Sequence, residues 1–322
     1  MDNTITITRA PAAASSSAAA GSPYNYLVNG GFEQWPFGAG AFTADGAYPT
    51  VRWLMDEIGT DTLSVTREGT VKSPNSLYSL AAVFVLGNGA GATQIYQQLS
   101  INANETNHGL LGKAISASIE VDLAAGVASA VRAFIATDGT GGTTTYSSYH
   151  GNNTTLETLS VENITVPTDA TYVRVGLAFA ASCTAYMDNA MLVIGTTAVT
   201  FAYLTPEEDL TRCQRYARQY DIAAAETGPF ASGFAFDTTN AILTSPLAPT
   251  MAVSPTLTVT AGDWQANTYA AAVTLSGLAI IHGRADRITL QLTVAAGLTQ
   301  FRPYAMSALA GATRTLLLTA NP

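Results

Sequence analysis

The chain has 322 residues, a formal net charge of −9 and 11% charged side chains against 48% hydrophobic ones. That length allows two or three domains with a substantial core, and the hydrophobic fraction is ample for folding. Lys72 and Lys113 are the only lysines and no stretch is basic, which excludes a nucleic-acid partner, since affinity for phosphate backbones comes from clustered Lys and Arg.

Residues 1–24 stand apart. Thr4-Ile5-Thr6-Ile7-Thr8 alternates as a short strand does, and the run from Pro11 to Pro23 is a linker of small residues. There is no basic start followed by an apolar core, so a secretory signal is not expected. No run approaches the ~18 apolar residues that span a bilayer, so membrane insertion is not expected either. A segment this poor in apolar area does not order itself, and the expectation is an anchoring arm held by a partner subunit.

Asn25 to Glu33 reads as an opening strand with one carboxylate, and Tyr186 to Leu192 as a closing strand with another. Between them, strands are predicted over 76–86, 93–99, 114–123, 130–137, 158–166, 171–180 and 185–194. Several alternate, as in Ile115-Ser-Ala-Ser-Ile119-Glu-Val121-Asp-Leu123. Period-two patterning with Gly, Asn, Asp and Thr at the turns indicates an antiparallel sandwich. One loop, Asp138 to Asn153, is rich in glycine and carries Tyr146 and Tyr149. Its glycines precede no helix, so it is not a phosphate cradle.

Thr205-Pro206-Glu207-Glu208 supplies an N-cap, a first-turn proline and a capping-box glutamate. Leu210, Cys213, Ala217 and Tyr220 follow at helical spacing and predict a helix running to Tyr220. Beyond Pro229 strands are predicted over 230–236, 256–261, 270–275, 287–295 and 313–320, with Pro246, Pro249 and Pro255 in the intervening loops. The expected fold class is all-β: an arm (1–24), a jelly-roll sandwich (25–204), one connecting helix (205–221) and a second small β domain (222–322).

Catalytic chemistry is sparse. His108, His150 and His282 are each isolated and read as loop or surface residues, and there is no Gly-x-Ser-x-Gly, HExxH or P-loop. A glycosidase needs two carboxylates across a cleft, but Asp56 and Glu57 are adjacent and point to opposite faces of a strand. No enzyme is expected. Cys183 and Cys213 have no zinc-type spacing and read as buried free thiols. Sugar binding rests on aromatic platforms, for which Tyr146 and Tyr149 are the best exposed candidates, with Trp35 and Trp264 next; Trp53 belongs to the core. The alternative role for all four candidates is packing or subunit contact.

The stretch Asn25-Tyr-Leu-Val-Asn-Gly-Gly-Phe-Glu-Gln-Trp35 with Tyr48-Pro-Thr-Val-Arg-Trp53, the segment Glu208 to Tyr216 and the aliphatic end Thr315 to Ala320 resemble bacteriophage tail-fibre and virion appendage proteins. The resemblance implies a carbohydrate-binding-module-like jelly roll followed by a β domain in an oligomeric appendage, with a trimer favoured. On that basis the chain is expected to be a structural protein of the phage particle, a tail or head fibre. Residues 1–24 would join it to other virion proteins, and its far end would contact a host surface glycan. The alternative is a glycan-binding module without catalysis, and a third reading is a polysaccharide depolymerase. In related sugar-binding modules a glutamate after the opening Phe and an aspartate in the closing Asp-Asn strand belong to a structural calcium site, which implies such a role for Glu33 and Asp188. Calcium needs six or more oxygens. Otherwise the two carboxylates satisfy strand ends and turn amides.

Overall fold

The structure, a computed structural model, describes residues 24–88, 92–101, 109–125, 128–152, 154–222, 229–268, 272–309 and 314–320. The expected anchoring arm therefore lies outside the described residues, apart from Tyr24, as does His108.

The first ten described strands are β1 (Trp53–Asp56), β2 (Thr62–Glu68), β3 (Ser79–Val85), β4 (Thr93–Ser100), β5 (Ala114–Ala125), β6 (Val131–Thr137), β7 (Thr144–Tyr146), β8 (Glu157–Thr165), β9 (Tyr172–Phe179) and β10 (Cys183–Ile194). They form two five-stranded antiparallel sheets, ordered β1-β4-β9-β6-β7 and β2-β3-β10-β5-β8. Strands distant in sequence are neighbours in both sheets, so each sheet is held by long-range pairing. Alternating residues explain the core. Ile115, Ile119 and Val121 of β5, Ile95 and Leu99 of β4 and Val175 and Leu177 of β9 point inward with Trp53 and Phe84.

The opening segment is not a strand. Asn29 and Phe32 both have φ near +53°, which breaks extended geometry, and the segment lies beside β10 as an irregular cradle. Asn25 makes the join: its Nδ2 donates to Ala190 O, and its Oδ1 accepts from Leu27 N and Leu192 N, all at 3.0 Å. Gly30 lies where a Cβ would meet Ala190 O at 2.2 Å, so only glycine fits that approach.

The helix α1 (Pro206–Cys213) begins as the sequence predicts. Glu208 N donates to Thr205 Oγ1 and Thr205 N donates to Glu208 Oε2, a complete capping box. It stops seven residues short of Tyr220. Ala217–Ile222 forms strand β11 instead, paired with β20 (Arg314–Thr319). The reason is tertiary: a β edge offers this segment a full ladder, and the Tyr220 ring packs edge-on against Phe230 with centroids 4.9 Å apart. Helical spacing in so short a window cannot outweigh that.

The remaining strands are β12 (Ala231–Ala235), β13 (Asn240–Pro246), β14 (Thr256–Thr258), β15 (Trp264–Asn267), β16 (Ala272–Thr274), β17 (Gly277–Arg284), β18 (Arg287–Thr293) and β19 (Pro303–Ala308). They build a three-stranded sheet, β11-β20-β14, and a seven-stranded one, β16-β15-β19-β12-β13-β18-β17. Trp264, Leu243, Leu290, Met306, Leu316 and Leu318 fill the core of this second unit. A smaller cluster of Val28, Val51, Cys213, Tyr216 and Ala217, with Ala252 against it, joins the sandwich, the helix and the second unit.

Candidate functional site

The β1-β4-β9-β6-β7 sheet has apolar and aromatic residues on both faces. Ile95, Ala133, Ile135, Val175 and Leu177 face the core, so their neighbours along each strand face away from it. Register places Leu54, Tyr96, Gly176, Phe134 and Tyr146 in one row across all five strands. At ~4.8 Å between strands the row is about 19 Å long. Tyr96 and Phe134 have ring centroids 6.3 Å apart, as do Phe134 and Tyr146, with the glycine between the first two. A Cβ on Gly176 would meet Ile95 O at 2.0 Å and Tyr96 Cα at 2.6 Å, so glycine lets the row close up.

Two arginines cover the row. The Arg132 guanidinium stands 3.6 Å over the Tyr146 ring and 4.8 Å from that of Tyr149. Arg174 lies 4.8 Å from the rings of both Tyr96 and Tyr172, and its Nε donates to Gln98 Oε1 at 2.8 Å. Arg132 Nε is buried with no hydrogen-bond partner among the described residues. Burial pushes the Tyr96 phenol above its ordinary pKa, with Arg174 opposing and Asp56 adding to the rise. Tyr96 and Phe134 are 3% and 1% exposed, so the accessible part of this face is the half-buried rings of Tyr146, Tyr149 and Tyr172 with two planar cations, a glutamine and an aspartate, which is chemistry that can hold a sugar.

The two expected platform tyrosines thus converge on one arginine, both half-buried. Trp35 and Trp264, expected to be exposed, are not. Trp35 is 8% exposed within the sandwich core and donates from Nε1 to Phe32 O, while Trp264 is fully buried in the second unit. Rings of that size are covered because each sits on the inward side of a bend or strand. Tyr96, Phe134, Arg132 and Arg174 were missed by the sequence reading; only the period-two pattern, once the inward set is known, could have put them on the side of the sheet away from the main core, where the two rings are buried and the arginines half-buried. His150 is a further correction. It is 3% exposed, with Nε2 3.0 Å from Val121 O, and tethers the loop end to β5. His282 is exposed, and both cysteines are buried free thiols.

Glu33 and Asp188 lie near each other and both grip the 73–77 turn. Leu77 N donates to Glu33 Oε1 at 2.8 Å, and Ser73 N donates to Asp188 Oδ2 at 2.8 Å. Asn189 N donates to Asp188 Oδ1 at 2.7 Å, while Asn189 Nδ2 donates to Glu120 Oε2 and Tyr203 Oη. Burial pushes the Asp188 carboxyl up in spite of those amide donors. Glu33 is raised by burial too, and the nearby Asp188 and Asp209 charges add to this. Glu33 Oε2 and Asn189 Oδ1 are buried here with no hydrogen-bond partner, while the Ser76 hydroxyl lies against the Asp188 carboxylate. An all-oxygen set around two crowded carboxylates fits a hard cation such as calcium. Among the described residues no three His, Cys, Asp or Glu side chains converge, so amide, hydroxyl and backbone oxygens would complete the shell.

No protein-family model and no curated protein matches the sequence. Among solved structures, one similar chain is a xylan-binding domain of carbohydrate-binding-module family 22, at 17% identity and a TM-score of 0.36 over 49% of this chain and 96% of that one. Another is the enzymatically active domain of tailspike protein 4 of bacteriophage CBA120, at 15% identity and a TM-score of 0.36 over 53% of this chain and 21% of that one. A family 61 carbohydrate-binding module in complex with β-1,4-galactotriose is similar at 14% identity and a TM-score of 0.31, over 53% of this chain and 99% of that one.

Proposed function

We propose that the chain is a non-catalytic glycan-binding protein whose sandwich holds a saccharide across the outer face of the β1-β4-β9-β6-β7 sheet. The observation that supports this reading is the set of half-buried rings Tyr146, Tyr149 and Tyr172 gathered around Arg132 and Arg174, on a buried base of Tyr96 and Phe134. Pyranose faces stack on the Tyr146, Tyr149 and Tyr172 rings, and the Arg132 guanidinium, Gln98 and Asp56 take hydroxyls. A glycan array followed by titration with the best ligand tests it. Tyr146→Ala and Arg132→Ala should each weaken binding; an array without signal, or variants that bind as well as the parent, overturn it.

The setting within this proposal is a bacteriophage appendage, in which the chain is an oligomer anchored through residues 1–24 and presents the sugar face to a host surface. What supports it is the sequence resemblance of 25–53, 208–216 and 315–320 to such proteins. Light scattering on the full chain, with immunoblotting of purified particles, tests it. A clean monomer that never co-purifies with particles overturns it. A structural calcium held by Glu33 and Asp188 belongs to the same reading: it would offset the two crowded carboxylates and pin the 73–77 turn to β10.

A further inference from the structure

The second unit turns a different kind of face outward. Leu243, Trp264, Ala266, Leu290 and Met306 of its seven-stranded sheet point into the core, so their neighbours along each strand point to solvent. Register brings Asn267, Ala305, Ser232, Thr244, Thr289 and His282 into one line across six strands. At ~4.8 Å per strand the line is about 24 Å long. Four of the six side chains are Ala, Ser or Thr, so the line is a trough and not a ridge.

Two grooves follow that line. One of about 720 Å³ is lined by Ser232, Asn267, Ala305 and Arg302. The other, about 620 Å³, is lined by Thr244, His282, Arg284, Arg287 and Thr289. Ser232 of the first and Thr244 of the second are register partners on neighbouring strands. Among the described residues no carboxylate lines either groove. Arg287 has a loose contact of 3.9 Å with exposed Asp286, and Arg284 and Arg302 have no ion pair among the described residues. Phe234, 47% exposed, stands one position along the same face, paired with Pro303 on one side and Ile242 on the other.

Cationic ends on a hydroxyl-lined trough stand out in a chain of net charge −9. The spacing decides among anions. A nucleic-acid strand carries a charge every ~3.4 Å, far denser than three arginines over this length can match. A polysaccharide with uronates between neutral sugars matches better, and an exposed aromatic ring beside the trough suits a pyranose face. We propose that this trough binds an acidic polysaccharide, its carboxylates meeting Arg302 at one end and Arg284 and Arg287 at the other, its hydroxyls meeting Ser232, Thr244 and Thr289. The trough and the aromatic face of the sandwich share no residue, so the two proposals stand or fall separately.

Calorimetric titration of the full chain with a hyaluronan oligosaccharide, which alternates a uronate with a neutral sugar, tests this. Binding is expected at low salt and should weaken as salt rises, because the contacts are exposed charges. The double variant Arg284→Ala with Arg287→Ala should lose about tenfold in affinity, the equivalent of ~1.4 kcal/mol. Ser232→Trp, which fills the trough from an exposed position, should lose as much, while Lys113→Ala, which removes an exposed cation outside both sites, should change nothing. No binding at low salt, or unchanged affinity in both trough variants, overturns the proposal. Tighter binding of a single-stranded oligodeoxynucleotide than of hyaluronan also overturns it.

Discussion

The guanidinium of Arg132 stands 3.6 Å over the ring of Tyr146. Arg132 is on β6 and Tyr146 on β7, and Tyr149 beyond the strand end meets the same cation at 4.8 Å. One side chain therefore fixes the glycine-rich loop against the open face of the sandwich. Such contacts contribute ~0.5–2 kcal/mol depending on desolvation.

Replacing that cation should separate binding from folding. Arg132→Ala is expected to weaken glycan affinity about tenfold, a loss of ~1.4 kcal/mol, with far-UV circular dichroism unchanged. Arg132→Lys should recover only part of it, since an ammonium lacks the planar fork that stacks and donates together. Full affinity in Arg132→Ala would remove this residue from the site.

Gly176 should not tolerate even one methyl group. A Cβ there would lie 2.0 Å from a backbone oxygen of β4, and backbone cannot move aside as a side chain can. Gly176→Ala is expected to destabilise the sandwich by about 1–3 kcal/mol, read from the urea midpoint. An unchanged midpoint would mean that the row Tyr96–Gly176–Phe134 is not as tight as described.

Asn25 is 6% exposed and bridges the opening cradle to β10 through three hydrogen bonds. Asn25→Ala leaves Leu27 N, Leu192 N and Ala190 O without that partner in a buried place. The expected loss is about 2–4 kcal/mol, from ~1–3 for each unsatisfied group less what local relaxation recovers. Thermal unfolding measures it, and a change in melting temperature too small to detect would contradict the bridging role.

Acid should loosen the turn at Asp138. Its slight burial opposes ionisation, but hydrogen bonds from the Thr171 hydroxyl and from Tyr172 N and Thr171 N more than offset that and hold the carboxyl below its ordinary range. A depressed folded-state pKa gives stability that is fully present above the unfolded value near ~3.9 and is lost as pH falls through the lower folded value. Asp138→Asn should therefore flatten the acid limb of the melting-temperature profile below pH ~4 and leave its slope at neutral pH alone. An acid limb identical to the parent's would refute the assignment.

Calcium should stabilise the parent chain and not its carboxylate variants. A ligand at a hundred times its dissociation constant adds ~2.7 kcal/mol by mass action. The melting temperature is expected to rise with calcium and fall back with a chelator, and Glu33→Gln should abolish the rise. Magnesium, smaller and slower to lose its water, should do less. No calcium response in the parent would leave Glu33 and Asp188 as turn clamps alone.

Much of the strand content was legible from alternation. The windows 93–99 and 171–180 enclose or closely match β4 and β9, because Val173, Val175, Leu177 and Phe179 alternate along β9 and Ile95 and Leu99 keep the same period in β4. The capping box at Thr205 was legible because it is a local pattern of a few residues. The end of the helix was not: Ala217 and Tyr220 keep helical spacing, and only the presence of β20 makes them a strand. The opening segment was misread for a similar reason, since its chain direction is set by hydrogen bonds to Ala190 and Leu192, far along the sequence.

By itself the sequence determined an all-β chain with a few charges, one capped helix, free thiols and aromatic residues enough for sugar contact, because composition, period-two patterning and capping act over short stretches. Only the tertiary structure decided which aromatics stay accessible. Trp35 and Trp264 went into cores, and Tyr96 and Phe134 are buried in a small cluster on the outer side of the sheet, while Tyr146, Tyr149 and Tyr172 stay half-buried beside Arg132 and Arg174. Alternation says that neighbours face opposite ways, but not which way is out; that is settled when two sheets meet and one face of each is buried.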